Sequence, residues 1–116
     1  MSYNKMSVYH LSSSSFTVAG GETVAAFQTE ADTILFIHAK WCGYCKQAVP
    51  EFKKAAIAVG DSGVKFAMLE DVELKKMEKP LPVRGFPSFF RIDGKTGKIT
   101  ALDGFPRTAD AMLKAI

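Results

Sequence analysis

Apolar and polar residues along this chain fall into blocks that predict a sheet with helices between its strands. Thr33–His38 is an unbroken β-branched and apolar run, the pattern of a strand covered on both faces, so we expect it to be central. Residues 8–11 and 64–69 are further apolar runs and are predicted as strands. Ser88–Ile92 and residues 99–102 flank a turn-rich loop, which predicts an antiparallel hairpin.

The pattern after residue 41 predicts the longest helix. From Cys42 onward, apolar residues recur at steps of three and four as far as Val59, which places them on one helix face, and Gly60 then ends the helix. Pro50 falls inside this helix, where its missing N–H and its ring predict a kink. The helix therefore begins at the cysteines, directly after the buried strand.

Three other segments have shorter or weaker helical patterns. Residues 22–30 have helical composition, although Gly20 and Gly21 before them give no start signal, and we expect a helix there. Residues 73–79 carry acid early and lysine late, which suits a helix dipole. A closing helix follows Thr108 as its N-cap. Strands separated by helices, then a hairpin and a last helix, indicate an α/β fold with a mixed sheet and helices on both faces.

Composition limits the classes to which the chain can belong. Its 116 residues are 47% hydrophobic and 23% charged, so we expect one globular domain over residues 1–116 and a monomer. No apolar run approaches the ~20 residues of a membrane span. Residues 1–16 lack the apolar segment of a secretory signal, so we expect cytoplasmic residence unless a leader was removed. The net charge of +3 is spread along the chain, which argues against a nucleic-acid partner.

The most informative feature is the spacing of the two cysteines. Residues 41–46 read Trp-Cys-Gly-Tyr-Cys-Lys and join the buried strand to the long helix. At the first turn of a helix, unpaired N–H groups and the positive end of the dipole stabilise a thiolate, so Cys42 is the candidate nucleophile. Cys45 lies three residues on, on the same side of that turn, close enough to form a disulfide with Cys42. Such a pair can cycle between dithiol and disulfide.

With these motifs the chain resembles the thioredoxin superfamily over nearly its whole length. Residues 41–46 look like the family's W-C-x-x-C-K, Pro50 stands at the helix-kinking proline, and residues 84–88 look like the loop that bears the cis-proline. The resemblance implies a thioredoxin fold with a central mixed sheet of four to five strands flanked by helices on both faces. It also implies a cis Pro87 that faces the cysteines, and a Phe86 backbone that pairs with an extended substrate strand.

Carried over to this chain, the resemblance implies a protein dithiol-disulfide oxidoreductase without an organic cofactor, in which Cys42 attacks and Cys45 resolves. The candidate substrate-binding residues are Trp41, Gly43, Tyr44, Phe86 and Pro87. We rank a reductase first, acting on protein substrates and supplied by a thioredoxin-reductase-like or small-thiol donor. A disulfide isomerase or oxidase, a binding module with little redox turnover, and a disulfide sensor remain open.

The chain departs from the family pattern at the buried acid. Phe36 stands where thioredoxins and isomerases carry the carboxylate that accepts the proton of the resolving cysteine, and the strand that would supply its lysine reads Phe-Ala-Met at residues 66–68. We therefore expect fast attack by Cys42 and slow resolution by Cys45.

Gly-Tyr between the cysteines matches neither the Gly-Pro of typical thioredoxins nor the Gly-His of isomerases. Arg107 is similar to an arginine before the last helix of isomerase domains, with one extra residue in the segment.

The cysteines, histidines and lysines also have interpretations that involve no special function. The cysteines alone are also compatible with a static disulfide or two buried thiols. Zinc would need His10 and His38 as further ligands, but their spacing matches no usual zinc module, so no metal is predicted. His38 is an auxiliary base or, as we favour, a strand-end filler. The lysines of two predicted helices are more typical of a solvated face than of a docking site for acidic partners: Lys53, Lys54, Lys75, Lys76 and Lys79.

Overall fold

The computed structural model of the chain describes residues 8–61 and 63–116. Its elements are β1 (Val8–His10), β2 (Phe16–Ala19), β3 (Glu22–Ala25), β4 (Thr33–His38), α1 (Gly43–Val59), β5 (Lys65–Glu70), α2 (Asp71–Leu74), β6 (Ser88–Ile92), β7 (Ile99–Ala101) and α3 (Ala109–Ala115). None of the helices in the described ranges has the length and apolar character needed to cross a membrane. Residues 1–7, the first part of the serine-rich start of the chain, lie outside the described residues.

A five-stranded sheet in the order β1-β5-β4-β6-β7 forms the centre of the molecule. β1, β5 and β4 run parallel to one another. β6 pairs antiparallel with β4, and β7 pairs antiparallel with β6. The first five residues of β4 are buried, which confirms the central strand that its apolar run predicts. The α/β architecture and the mixed sheet are those expected from the sequence.

The two faces of the sheet bury separate cores because successive side chains of a strand point to opposite sides. On one face, Ile34 and Phe36 of β4 pack with residues of α1 and α3, including Phe52 and Met112. On the other face, Leu35 and Ile37 pack with α2 and with side chains from the segments around it, including Phe16, Leu74, Met77 and Leu81. Helices do cover both faces, but the second face is covered by one short helix together with the β2–β3 hairpin.

The helix predicted over residues 22–30 is wrong. This segment begins with β3, which pairs antiparallel with β2 across a two-residue loop. Gly20 and Gly21 form that loop with φ of 60° and 81°. Positive φ at both central residues is the requirement of a type I′ turn, whose twist matches that of the flanking strands, and glycine meets it without steric cost. The two glycines are therefore a hairpin signal that outweighs helical composition.

The helix predicted over residues 73–79 is shifted and shortened. It occupies Asp71–Leu74, and the chain then continues in turns, with the Met77 N–H donating to the Leu74 carbonyl at 3.2 Å. The residue before a proline is disfavoured in helical conformation, so Pro80 prevents regular helix from continuing through Lys79. The turns let Met77 and Leu81 reach the second core, where both are buried.

The two remaining helices match their predicted ends. α1 begins immediately after Cys42 and is closed by Gly60 at φ 73°, with Pro50 inside it. The Thr108 hydroxyl accepts a hydrogen bond from the Ala111 N–H at 3.4 Å and caps α3. Because β4 leads into α1 through a short connection, both cysteines lie at the end of the sheet where the parallel strands finish.

Candidate active site

Cys42 occupies the N-cap of α1 and is held from three directions. Its backbone N–H donates to the Ala39 carbonyl at 3.1 Å. Its Sγ accepts the Cys45 N–H at 3.2 Å and donates to the Phe86 carbonyl at 3.6 Å. The free N–H groups of a first helical turn and the positive end of the dipole favour negative charge at this sulfur. Cys42 therefore lies at the start of the helix, where the sequence predicts it.

Cys45 lies one turn deeper and is almost fully buried, with 1% of its surface exposed. Burial, followed by the hydrogen bond with the Cys42 thiol, raises the pKa of Cys45 to about 11. The Ala39 backbone and the positive charge of Arg107 act on that pKa in the opposite direction. Both thiols are free in this structure, so it represents the dithiol form. Both cysteines are buried, Cys42 with 6% of its surface exposed, but Cys42 caps the helix beside the loop that carries Phe86, whereas Cys45 lies inside the first helical turn.

The loop before β6 lies against Cys42. The Phe86–Pro87 peptide bond is cis, as the resemblance implies. The Phe86 carbonyl faces the Cys42 thiol, and its ring meets the edge of Trp41 at a centroid distance of 5.4 Å. Phe86 and Pro87 are thus at the position required to pair with a substrate segment, although that role remains a prediction.

Two exposed aromatic side chains flank the thiols. Trp41 is 71% exposed, and its Nε1–H donates to a carboxylate oxygen of Asp71 at 3.3 Å. Tyr44 is 66% exposed, and the Arg107 guanidinium lies 5.6 Å from the centre of its ring. Gly43 between them leaves open space where a side chain would begin. These three residues form an accessible rim, so the structure places every predicted substrate-binding residue around Cys42.

An apolar side chain fills the position of the expected buried acid. Phe36 is fully buried; its ring stacks on Phe89 at 4.8 Å and meets Phe52 edge-on at 5.1 Å. Its neighbour on β5 is Met68, also buried. Among the described residues the buried polar or charged side chains comprise Thr33 alone. No buried carboxylate in this part of the chain is available to take the Cys45 proton.

His38 follows Phe36 on the same face of β4, with the two ring centroids 5.7 Å apart. Burial lowers the pKa of His38, while the Glu70 carboxylate on the adjacent strand acts to raise it. Glu70 itself forms an ion pair with Lys40 at 3.6 Å. Residues 8–61 and 63–116 contain no group of three or more His, Cys, Asp or Glu side chains that could hold a metal ion.

Asp71 is a site residue that the sequence did not reveal. It begins α2 directly after β5, and parallel pairing of β4 with β5 brings its carboxylate to the indole of Trp41. The sequence shows two acidic residues, Glu70 and Asp71, after an apolar run, but only the order of the strands shows that Asp71 reaches Trp41.

Two of the lysines considered for docking already have acidic partners. Lys54 pairs with Glu51 at 3.1 Å, and Lys76 pairs with Glu73 at 2.9 Å.

Comparison with known proteins gives a consistent family. The thioredoxin family model matches residues 11–116. The chain belongs to the thioredoxin family. It is 35% identical over 100 residues to a protein disulfide-isomerase A6 homolog of Caenorhabditis elegans, covering 81% of this chain and 22% of that protein. It is 34% identical over 84 residues to a protein disulfide-isomerase of Datisca glomerata, covering 69% of this chain and 16% of that protein.

Solved structures support the same fold. The solution structure of the first thioredoxin domain of mouse protein disulfide-isomerase A4 is 26% identical, with a TM-score of 0.58 over 75% of this chain and 61% of that one. A crystal structure of ERdj5 is 14% identical, with a TM-score of 0.75 over 98% of this chain and 15% of that one, and shows likeness of fold alone. The chain spans less than a quarter of the length of the two curated relatives. It is therefore a thioredoxin fold with resemblance to protein disulfide-isomerase domains.

Proposed function

We propose that this chain catalyses thiol–disulfide exchange on protein substrates through Cys42 and Cys45. The observation that carries the proposal is the environment of the Cys42 sulfur. It caps a helix, accepts the Cys45 N–H at 3.2 Å and faces the Phe86 carbonyl at 3.6 Å beside an exposed aromatic rim. A static structural thiol would need neither a helix N-terminus nor an accessible rim.

The reaction follows from the two environments. The Cys42 thiolate attacks one sulfur of a substrate disulfide, a Cys42–substrate disulfide forms, and the second substrate sulfur leaves as a thiolate and takes a proton. The Cys45 thiol loses its proton to water or a solution base, attacks the Cys42 sulfur, and releases the first substrate sulfur as a thiolate, which is protonated in turn. The substrate disulfide is reduced by two electrons and the Cys42–Cys45 pair is oxidised. No organic cofactor is required.

Reduction of protein disulfides is our first proposal for the direction. In that direction a thioredoxin-reductase-like protein or a small thiol must return two electrons to the Cys42–Cys45 disulfide after each turnover. Cytoplasmic residence, if established, would favour this direction because cytosolic thiol pools are reducing.

A disulfide isomerase is the second candidate, and the burial of Cys45 favours it. Isomerisation needs Cys42 to attack, but the substrate's own thiols can then displace it without help from Cys45. Because the pKa of Cys45 is raised to about 11, its thiolate is scarce at neutral pH, and the Cys42–substrate disulfide persists long enough to rearrange. The similarity to protein disulfide-isomerases supports the same candidate.

Turnover on a protein disulfide tests the proposal. Reduction of insulin in the presence of a small-thiol donor is expected to accelerate with the wild-type chain and to fall to the uncatalysed rate with Cys42→Ser. Thr17→Ala is a matched control, since it removes a side-chain oxygen from an exposed position of the β2–β3 hairpin and leaves both thiols in place. Equal rates for the wild type and Cys42→Ser would exclude an oxidoreductase and leave the binding module.

The direction is tested by the equilibrium potential of the Cys42/Cys45 pair in glutathione buffers, followed by Trp41 fluorescence. A potential of about −270 mV supports the reductase, and one of about −180 mV supports the isomerase. The same preparations, mixed with a scrambled multi-disulfide protein, should restore its activity only if the chain isomerises disulfides.

A further inference from the structure

A groove opens near the thiols. Its cavity volume is about 370 Å³, and it lies between the segment around Pro87 and the segment from Leu102 to Arg107. Pro87 follows Phe86, whose carbonyl faces the Cys42 sulfur, and Arg107 lies on the ring of Tyr44 between the two cysteines. The groove therefore adjoins the reacting sulfur, and an extended polypeptide held at Phe86 would pass along it.

The groove is lined by more basic than acidic residues. Two guanidinium groups line it, those of Arg84 and Arg107, together with one carboxylate, that of Asp103. In the part of the chain that the structure describes, neither arginine has a carboxylate within 4.0 Å. Both arginine side chains are exposed, so they are free to accept a partner from solution.

The acidic groups near Trp41, in contrast, already have partners. There the acidic groups are already engaged, with Glu70 paired to Lys40 at 3.6 Å and Asp71 accepting the Trp41 indole N–H at 3.3 Å. A substrate approaching Cys42 thus meets carboxylates near Trp41 that already have partners, and two guanidinium groups in the groove that have no carboxylate partner among the described residues. This asymmetry gives the site a preferred charge and a preferred direction.

We infer that the groove binds an acidic side chain of the substrate polypeptide, carried a few residues from the cysteine that Cys42 attacks. The inference rests on the proposed function and adds a substrate class to it: protein disulfides with an aspartate or glutamate nearby. Arginine suits this role because its planar fork of donors matches a carboxylate and can engage it with two hydrogen bonds. The Arg107 guanidinium lies over the Tyr44 ring, 5.6 Å from its centre, which favours a position of this cation beside the cysteine segment.

The test measures the attack step alone. All proteins carry Cys45→Ser, so that resolution cannot contribute. The probes are synthetic peptides with one cysteine, held as a mixed disulfide with a chromogenic aromatic thiol, and with Glu, Gln or Lys two residues before or after that cysteine. We expect the Glu peptide to react roughly two- to fivefold faster than the Gln peptide in one of the two series, and the Lys peptide to react more slowly still. The preference should disappear at about 1 M salt, where the Debye length is about 3 Å.

Charge variants show whether Arg84 and Arg107 cause the preference for the Glu peptide. Arg84→Gln and Arg107→Gln should each reduce it, and Arg84→Glu should invert it between the Glu and Lys peptides. Lys53→Gln is the matched control, because it removes one positive charge from the exposed surface of α1 outside the groove and should leave the preference intact.

The outcomes separate this inference from the proposed function. If no peptide reacts faster with Cys42 than with free glutathione, the proposed function itself fails. If all peptides react rapidly and equally in both series, the exchange activity stands and the groove inference is overturned. A preference that Lys53→Gln reduces as much as Arg84→Gln does would also overturn it, since the effect would then come from overall charge.

Discussion

Escape from the mixed disulfide by Cys45 should accelerate steeply with pH. Burial and the hydrogen bond with Cys42 raise the pKa of Cys45 from 9.0 to about 11. Two pKa units make the thiolate about a hundredfold scarcer at neutral pH than that of an ordinary thiol. A more basic thiolate is also more nucleophilic, with a Brønsted slope of about 0.4–0.5, which recovers roughly eightfold. The net expectation is resolution slower by up to about tenfold at pH 7 than with an unperturbed resolving cysteine, because part of the raised pKa comes from the Cys42 thiol, which the mixed disulfide lacks.

The raised pKa of Cys45 should persist in the Cys42–substrate disulfide. In a Cys42–substrate disulfide the Cys42 thiol no longer bonds to Cys45, but burial is the larger cause of the raised pKa and does not depend on that bond. Phe36 fills the position from which a carboxylate would take the proton. The reactive thiolate must then form by loss of the proton to water or a solution base.

A pH-jump experiment measures this step. The mixed disulfide is formed with an activated peptide at about pH 4, where the Cys45 thiol stays protonated and does not release it, and is then mixed into buffers between about pH 6 and 10. Release of the peptide thiol, followed by Trp41 fluorescence, should rise about tenfold per pH unit without a plateau up to about pH 10. Cys45→Ser gives the background rate. A plateau at or below about pH 8 would refute the reasoning, because it would require another group to deprotonate Cys45.

Other residues give further predictions. Arg107→Gln should slow peptide release in the same assay, since the guanidinium lowers the pKa of Cys45; an unchanged rate would show that this charge does not reach the sulfur. Phe36→Ala should lower the free energy of unfolding in urea by about 3–5 kcal/mol because it empties a fully buried aromatic site, and a loss below about 1 kcal/mol would contradict the packing described here. Asp32 accepts hydrogen bonds from the Gly94 N–H at 3.0 Å and from Arg91 at 2.8 Å, which hold its pKa below the usual range. Its stabilisation is therefore present above the unfolded-state value and is lost as the pH falls through the lowered pKa. Asp32→Asn should cost about 1 kcal/mol at pH 7 and progressively less below about pH 4, and an equal cost at both pH values would exclude an ionic origin.

The central strand and the active-site helix could be predicted because their signals are local. Thr33–His38 is apolar at every position but its ends, and the pattern from Cys42 to Gly60 contains its own start, face and stop. The cysteine pair follows from the same pattern, since its place at the helix start is fixed by the strand before it. Pro87 was assigned as cis from its resemblance to a family loop.

The two helix errors have different physical origins. In residues 22–30, composition favoured a helix, whereas the positive φ of Gly20 and Gly21 commits the chain to a hairpin. In residues 73–79 the charge pattern of a helix is present, but the chain turns after Leu74 and buries Met77, and Pro80 keeps Lys79 out of helical conformation. Turn chemistry and tertiary burial outweighed propensity in both segments.

The contacts of the site across the sheet could not be read from the sequence. Asp71 reaches Trp41 only because β5 lies beside β4, and Arg107 reaches Tyr44 only because α3 starts against α1. A hydrogen bond fixes that second arrangement: the Ala109 N–H at the start of α3 donates to a Glu51 carboxylate oxygen at 2.9 Å. Sequence spacing carries no information on these meetings, since the residues are 30 or more positions apart along the chain.

Covalent trapping tests the central claim most directly, namely that Cys42 attacks substrate disulfides and Cys45 releases them. Reduced Cys45→Ser protein is mixed with insulin, excess thiol is blocked, and the product is identified by mass spectrometry. The account predicts a one-to-one adduct linked through Cys42 that dithiothreitol cleaves, and no such adduct with Cys42→Ser. An adduct that forms through Cys45 in Cys42→Ser, or none with Cys45→Ser, would contradict the account.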